Sequence, residues 1–222
     1  MKYLLLAASF AATLATAPAW ADNTQHLVDS STLTLQDMMG GAQGSQAQAF
    51  LQKAWAVVIC PNVFRAGILI GGEGGKCVLS ARTQGDDWSN PAIYSMGGGS
   101  FGLQIGVQNS ELMIIIMTKQ GLNALLSSHF KIGADAGLTV ATFGAGINGS
   151  MSTALKADII SFAKSQGLYG GISLAGTVFS NDAGREQAYY GQVLTARQIV
   201  VDGMGTNPGA NPLRDVLKQY GQ

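Results

Sequence analysis

Charged side chains are scarce in this sequence, and the two signs cancel. Of its 222 residues, 13 are basic and 13 acidic, so charged residues make up only 12% of the chain and the formal net charge is zero, while apolar residues make up 47%. Recognition of nucleic acid requires clustered Lys and Arg, and a disordered chain is poorer in apolar residues. We therefore expect a folded protein with no nucleic-acid partner, and a length near 200 residues favours one domain.

Histidine, cysteine and proline are also rare, whereas glycine is abundant. The chain has two His, two Cys and five Pro, against 30 Gly. Two cysteines cannot complete a zinc site, and neither His26 nor His129 has a ligand-like spacing to them. We expect no metal and no other cofactor. The many glycines indicate tight turns and close backbone contacts rather than a flexible linker.

A long apolar run occurs only at the N terminus. Lys2 precedes an apolar segment over residues 4–17, and Ala19-Trp20-Ala21 follows as an A-x-A cleavage site. The run is shorter than a transmembrane helix, and no cysteine lies at the cleavage site to carry a lipid anchor. We expect residues 1–21 to be a signal peptide and the mature protein to be periplasmic or secreted. A buried helix of the fold is the alternative for this segment.

Export would place the two cysteines, Cys60 and Cys77, in an oxidising compartment. An even number of cysteines there favours a disulfide. They lie 17 positions apart, and closing a loop of that size is worth about 3 kcal/mol. Two buried free thiols are the alternative, which the spacing leaves open.

The hydrophobic periodicity changes along the chain. Residues 22–44 are polar with glycine breaks, which predicts a flexible leader. Residues 45–58 place Phe50, Leu51 and Trp55 on one helical stripe and predict the first helix. Later segments alternate with a period near two, and short helical patterns end the chain. We expect a single α+β domain over residues 45–222, with a mostly antiparallel β-sheet or partly closed barrel and flanking N- and C-terminal helices.

Residues 72–75, Gly-Glu-Gly-Gly, precede Lys76 in a pattern that invites comparison with a phosphate-binding loop. That motif requires glycine at position 70 and Ser or Thr at position 77, where this chain has Ile70 and Cys77. A β-branched, alternating run follows Lys76 where the motif needs a helix. The stretch is instead typical of a β-hairpin that turns at residues 72–75.

Residues 98–102 match G-x-S-x-G, in which Ser100 would be a nucleophile. The motif needs a helix after the serine, but a strand pattern follows here. Glu111 and His129 are the available partners, and their compressed order does not suit a hydrolase. A serine esterase at Ser100 is a minor alternative, and we expect no catalytic residues.

Aromatic and basic residues near the start of the domain suggest a lipid-contact surface. Such residues on an amphipathic segment can bind the headgroup region of a membrane. The candidates are Phe50, Lys53, Trp55, Arg65 and Lys76. The alternative is that the helical stripe faces the core, because Lys53 is the only charge in residues 45–58.

Four short motifs, in this order, resemble the SYLF domain family. They are Trp88-Ser89-x-Pro91-Ala92, Gly102-x-Gln104-x-Gly106-x-Gln108, Gly167-Leu168-Tyr169-Gly170-Gly171 and Tyr189-Tyr190-Gly191. The resemblance covers nearly all of the chain after the leader. It implies a non-enzymatic module: eukaryotic relatives bind phosphoinositides or anionic membranes, partly through a helix at the domain start, and fungal relatives bind actin filaments. Exported bacterial relatives are similar in having a signal peptide and one domain.

This chain departs from the eukaryotic pattern in its first helix, which carries one lysine and several Gln and Ala. Cys60 and Cys77 stand where the family more often has an aromatic and a glycine, which fits a disulfide particular to this branch. We therefore expect an exported, non-enzymatic lipid-binding module that contacts anionic phospholipid or an envelope membrane. A structural or protein-interaction protein of the cell envelope is the alternative.

Overall fold

The computed structural model describes residues 19–68, 70–101, 106–127, 129–133, 137–143, 156–165, 168–169 and 174–222. Its helices are α1 (Ala19–Gly40), α2 (Gly44–Leu51), α3 (Lys119–Leu125), α4 (Ala183–Tyr190), α5 (Ala196–Val200) and α6 (Asn211–Gly221), with a 3-10 turn at Pro208–Ala210. Its strands are β1 (Ala56–Ile68), β2 (Ile70–Ala81), β3 (Ala92–Phe101), β4 (Gly106–Ile116), β5 (His129–Lys131), β6 (Val140–Phe143), β7 (Ile159–Ser165), β8 (Leu168–Tyr169) and β9 (Val178–Asn181). Most of the predicted signal peptide lies outside the described residues.

The strands form one sheet in the order β5-β9-β3-β2-β1-β4-β7-β6, and β8 pairs with β7. The described pairings are antiparallel except the one between β6 and β7. Helices from both ends of the chain pack against this sheet. The predicted α+β class, with a mostly antiparallel sheet and flanking helices, is confirmed.

The structure differs from the sequence expectation over residues 22–44, where a flexible leader was predicted. Most of this segment is helix α1, which buries Val28, Leu35 and Met38 in the core. Hydroxyl residues interrupt its apolar stripe, so the helical periodicity is weak in the sequence. Those hydroxyls can be buried because Ser31 and Thr32 donate hydrogen bonds to backbone carbonyls four residues earlier in the helix. None of the described helices, α1 included, is both long and apolar enough to span a membrane.

The helix predicted over residues 45–58 is also shorter than expected. Helix α2 ends at Leu51, and β1 begins at Ala56. The backbone N–H of Trp55 already donates to the carbonyl of Ile116 on β4, at 2.8 Å. The β-branched run after Ala56 favours a strand, and pairing with both β2 and β4 outweighs the helical periodicity of the alanines before it.

The β1–β2 hairpin is present, but its turn is not at residues 72–75. The strands pair as far as Ile68 and Ile70, so Gly-Glu-Gly-Gly lies inside β2. The register shifts between Ile59 and Asn62, which is a β-bulge containing Pro61. At this bulge Cys60 and Cys77 form a buried disulfide across the two strands. The predicted disulfide is therefore present in the structure.

Candidate functional site

The outer halves of β1 to β4 present one face without a covering element among the described residues. Phe64 of β1 lies opposite both Gly74 of β2 and Asn109 of β4, and Gly74 lies opposite Gly97 of β3. Directly opposed residues share a face of the sheet, and so do residues two apart on one strand. We call this surface the open face, defined by Phe64, Ala66, Gly72, Gly74, Gly97, Gly99 and Val107.

Large apolar side chains on the open face are exposed, and its floor is glycine. Phe64 is 53% exposed and Val107 is 68% exposed. A Cβ atom added at Gly74 would lie 3.7 Å from its nearest neighbour, the carbonyl oxygen of Met96, and one added at Gly99 would meet nothing within 4 Å. The corresponding distances at Gly72 and Gly97 are 3.9 and 3.8 Å. Packing among the described residues therefore does not require glycine at these positions.

The open face carries no charged residue, and the chain is free of charged residues around the strand ends beyond it. The ends of β1, β3 and β7 and the starts of β2 and β4 meet at this end because neighbouring strands are antiparallel. The sequence has no Asp, Glu, Lys or Arg in residues 66–72, 97–110 or 165–181. A surface of this composition does not attract water or ions strongly, so contact with apolar matter costs little desolvation.

Polar contacts border the open face on the side nearer the protein core. On β2, Lys76 Nζ contacts Ser95 Oγ at 2.6 Å and Asp182 Oδ2 at 2.8 Å. Arg185 Nε lies 3.5 Å from the same carboxylate. Burial by itself would raise the pKa of Asp182, but hydrogen bonds from Lys76 and from the Arg185 backbone outweigh burial and hold it below its usual value.

The same border continues across β1, β4 and β7. Asn109 donates a hydrogen bond of 3.0 Å to Asn62 Oδ1 on β1, and Lys164 of β7 is paired with Asp37 of α1. We call this line of polar groups across the sheet the polar border. It comprises Asp37, Lys164, Asn109, Asn62, Lys76, Ser95, Asp182 and Arg185. The sheet thus has a helix-covered core, a polar border and an uncharged apolar end, in that order.

The reverse face of the same strand segments is filled by the chain itself. Arg65 and Glu73 form an ion pair with an Nε–Oε2 distance of 2.6 Å, and Thr177 donates to the other carboxylate oxygen at 2.5 Å. The Glu73 side chain is only 4% exposed. A Cβ at Gly98 would lie 3.0 Å from Glu73 Oε1, so glycine here is explained by packing. Packing among the described residues therefore explains Gly98 on the reverse face but not the glycines of the open face.

The structure does not bring the five predicted lipid-contact residues together. Phe50 is buried and packs against the rings of Phe143 and Phe162, at centroid distances of 5.6 and 6.3 Å, so it is a core residue rather than a surface one. Arg65 is paired on the reverse face, and Lys76 belongs to the polar border.

The other two predicted residues lie at the opposite end of β1. Trp55 is 45% exposed, Lys53 is exposed, and Lys119 Nζ lies 5.9 Å from the Trp55 ring. Nine residues of strand separate Trp55 from Phe64, which is about 30 Å. We call Lys53, Trp55 and Lys119 the tryptophan patch. The open face and the tryptophan patch are therefore separate surfaces.

Ser100 does not lie on the strand-to-helix turn that the serine esterase alternative requires. Ser100 lies within β3, opposite Gly71 of β2, rather than on a strand-to-helix turn. The pairings of β3, β9 and β5 place His129 level with Ser95, which is five residues and about 16 Å from Ser100 along the strand. Within the described ranges, no three His, Cys, Asp or Glu side chains are grouped so that they could hold a metal ion.

Sequence reasoning missed Phe64 and Val107, although a signal was available. Glycines recur at every second position in the segments "GGEGGK" and "GGGSF". The pairing of β2 with β3 places these alternate glycines on the same face of the sheet. The sequence pattern alone predicts a hairpin turn at residues 72–75. Only the register between β2 and β3 identifies the shared face.

Comparisons with known proteins identify relatives over most of the chain. The family model described as "Ysc84: Las17-binding protein actin regulator" matches residues 97–220, more than half of the sequence. SH3 domain-containing YSC84-like protein 1 of Rattus norvegicus is 26% identical over 160 residues, which is 72% of this chain and 47% of the rat protein. The Xenopus laevis protein of the same name is 29% identical over 161 residues, 72% of this chain and 48% of its own length.

A fungal protein is similar over the same span. Protein YSC84 of Saccharomyces cerevisiae is 25% identical over 160 residues, which is 71% of this chain and 34% of the yeast protein. The chain spans about half the length of the vertebrate relatives it matches and about a third of the yeast one. The matched region is therefore part of a longer chain in each of these relatives.

Proposed function

The chain belongs to the Ysc84 family, whose domain is also called SYLF, and on that basis we propose that it is a non-enzymatic binding module for phospholipid membranes. The observation that carries the proposal is the open face. Phe64 and Val107 are exposed on a face that carries no charged residue, and a polar border separates this face from the core. Apolar tips with a polar border suit insertion to the depth of the headgroup–acyl boundary.

The energetics predict weak and reversible attachment through these groups. Burying a fully exposed Phe or Val side chain is worth about 1.5–3 kcal/mol, and both residues are already partly covered. Two such side chains give about 2–4 kcal/mol, which corresponds to millimolar binding. A cation near an anionic membrane surface adds about 1 kcal/mol, and the partly exposed Lys76 of the polar border supports such a contribution. We expect a preference for anionic phospholipid for this reason.

We further propose that the protein acts in the periplasm or outside the cell. Residues 1–21 have the features of a signal peptide, and the disulfide between Cys60 and Cys77 suits an oxidising compartment. Cleavage after Ala21 would shorten the start of α1 but leave its buried residues from Thr24 onwards. Intact mass measurement of the protein from the periplasmic fraction tests this, and a mass that retains residues 1–21 would contradict it.

Co-sedimentation with vesicles tests the membrane proposal. Vesicles of phosphatidylcholine with phosphatidylglycerol should pellet the wild-type protein at low salt, and Val107→Asp should weaken this about tenfold, because a charge placed on the open face must be desolvated. Val193→Asp is the matched control, since Val193 is 72% exposed elsewhere on the surface. Equal loss in the two variants, or no pelleting of the wild type, would overturn the proposal.

A second candidate function is a protein-interaction module, and the tryptophan patch favours it. An exposed Trp beside two lysines is typical of the centre of a protein interface, and the family model is described as an actin regulator that binds Las17. An exported chain would not meet the actin of its own cytosol. Under this alternative, Trp55→Ala would abolish capture of an envelope protein, whereas Val107→Asp would not.

A further inference from the structure

We propose that the open face binds a single long acyl chain lengthwise along β2, with the anionic head of that amphiphile beside Lys76. The inference rests on the proposed function, because it names the part of a lipid that the surface takes. It goes beyond membrane contact, since it assigns a site for one chain per protein molecule. Three features carry it: the glycine floor, its dimensions and the cation at one end.

Packing among the described residues does not explain the glycine floor. Gly72, Gly74, Gly97 and Gly99 each have room for a Cβ, and glycine inside a strand costs about 0.5–1 kcal/mol relative to alanine. Glycine in a strand interior often marks a place where a ligand approaches the backbone closely. Four such residues side by side on β2 and β3 form a shallow bed whose lowest surface is the backbone itself.

The chemistry of this bed selects a hydrocarbon chain over a peptide. At Gly72, Gly74 and Gly97 the backbone pairs with strands on both sides, so over most of the bed it does not offer hydrogen bonds to an incoming peptide. A peptide laid on the bed would leave its own polar groups unpaired, at a cost of about 1–3 kcal/mol each. An acyl chain has no polar groups to leave unpaired, and it gains apolar contact with Phe64 and with the glycine backbone.

The dimensions of the bed fit one chain. Lys76, Gly74 and Gly72 occupy successive positions of one strand face, and the six steps of β2 from position 76 to position 70 span about 20 Å. The hydrocarbon chain of one bilayer leaflet is about 15 Å long. Phe64 of β1 lies on one side of the bed, and Val178 of β9, opposite Gly97, lies on the other. These strands are three spacings apart, about 14 Å.

The charged end of the bed determines the orientation of the ligand. Lys76 is level with Ser95 of β3, two residue pairs from Gly74 and Gly97, and 42% of its side chain is exposed. Its partner Asp182 also contacts Arg185, so two cations adjoin one carboxylate. A carboxylate or phosphate head at this end is favoured, and an uncharged head is not.

Titration of the mature protein with palmitate below its micellar concentration tests the inference. We expect one palmitate per protein, and at least tenfold weaker binding for Gly74→Val and Gly97→Val, whose new side chains would fill the bed. Both variants should melt at or above the wild-type temperature, because each site has room and valine favours strands. Gly40→Val, at the open end of α1, is the matched control and should bind as the wild type does.

A second comparison tests the contact between Lys76 and the anionic head of the ligand. Lys76→Gln should weaken palmitate binding about fivefold or more and leave binding of the uncharged alcohol of equal chain length unchanged. The inference is overturned if the wild type takes up no palmitate, or if Gly74→Val and Gly97→Val bind as tightly as Gly40→Val. Vesicle sedimentation of the same preparation separates the two proposals. Vesicle binding without palmitate uptake defeats only the acyl-chain site, whereas palmitate uptake without vesicle binding defeats only the membrane function.

Discussion

Thr34 of α1 donates a hydrogen bond of 2.9 Å to Glu111 of β4, which fixes the first helix on the sheet at the level of the polar border. Burial raises the pKa of Glu111, and the Thr34 hydrogen bond opposes that rise. The neighbouring pair between Asp37 and Lys164 holds the same helix one turn further on. Helix α1 is therefore part of the domain rather than a leader to it.

Helix α1 should contribute to stability as a core element. Leu35 is fully buried whereas Leu33 is 65% exposed on the same helix. We expect Leu35→Ala to lower the free energy of unfolding by about 2–5 kcal/mol through the cavity it leaves, and Leu33→Ala to change it by less than about 0.5 kcal/mol. Urea unfolding of both variants measures this. Equal and small effects would mean that the segment is loosely held after all.

The disulfide should stabilise the protein mainly through the unfolded chain. It closes a loop of 17 residues between Cys60 and Cys77, and the loop-closure estimate is about 3 kcal/mol. We expect the double variant Cys60→Ala/Cys77→Ala to unfold at a lower urea concentration than the oxidised wild type. Dithiothreitol should lower the midpoint of the wild type towards that of the double variant and leave the double variant unchanged. A wild-type midpoint that reductant does not alter would contradict this expectation.

Glu186 of α4 should make stability fall as the pH rises towards neutrality. Its side chain is fully buried, and Oε1 accepts hydrogen bonds from Asn181 Nδ2 at 2.7 Å and from the Ile93 N–H at 3.1 Å. No described group donates to Oε2. Burial raises the pKa of Glu186 from 4.5 to about 7, the two hydrogen bonds oppose that rise, and the charge of Asp182 adds to it.

Between pH 4.5 and 7 the unfolded chain loses the Glu186 proton while the folded protein keeps it. The free energy of unfolding should therefore be highest below this window, fall through it by about 3 kcal/mol and level off above it. Glu186→Gln, which keeps the Oε1 acceptor, should remove this fall. Asp202→Asn, at an exposed position, is the control and should retain it. Urea midpoints at pH 4, 6 and 8 give the comparison, and parallel profiles for wild type and Glu186→Gln would reject the assignment.

The tryptophan patch should not be the main membrane contact. Trp55→Ala removes a half-exposed ring about 30 Å along β1 from Phe64. We expect vesicle binding of Trp55→Ala to stay within about twofold of the wild type, which is a difference below about 0.5 kcal/mol. Phe64→Ser, on the open face, should reduce binding more. If Trp55→Ala is the weaker binder of the two, the site predicted from the sequence is the correct one and the open face is not.

Much of the fold could be predicted from local pattern. The period of two before and after residue 100, the short helical patterns at the end of the chain and the composition all indicated an α+β domain with a mostly antiparallel sheet. Thr195, for example, caps α5 with a capping box to Gln198, and Gly191 ends α4 in the left-handed conformation. These features depend on neighbours in sequence, and so the sequence is enough to identify them.

The candidate site could not be predicted in the same way, because it depends on which strands adjoin. Phe50 was expected at a surface, but Phe143 and Phe162, more than 90 positions later, cover it. Lys76 and Asp182 are 106 positions apart and meet only through the pairing of β2, β3 and β9. The residue pattern of either segment alone does not indicate that Lys76 and Asp182 are in contact.

By itself, the sequence determined the family, the alternation of the strands, the even pair of cysteines and the charge-free stretches. Only the tertiary structure decided that α1 belongs to the core, that the hairpin turns near Ile68 rather than at Gly72, and that the glycines of β2 and β3 share one open face. The physical reason is the same in each case. Burial and exposure depend on long-range packing and strand register, and moving the register of β2 on β1 by one residue would have placed its glycines on the opposite side of the sheet from Phe64.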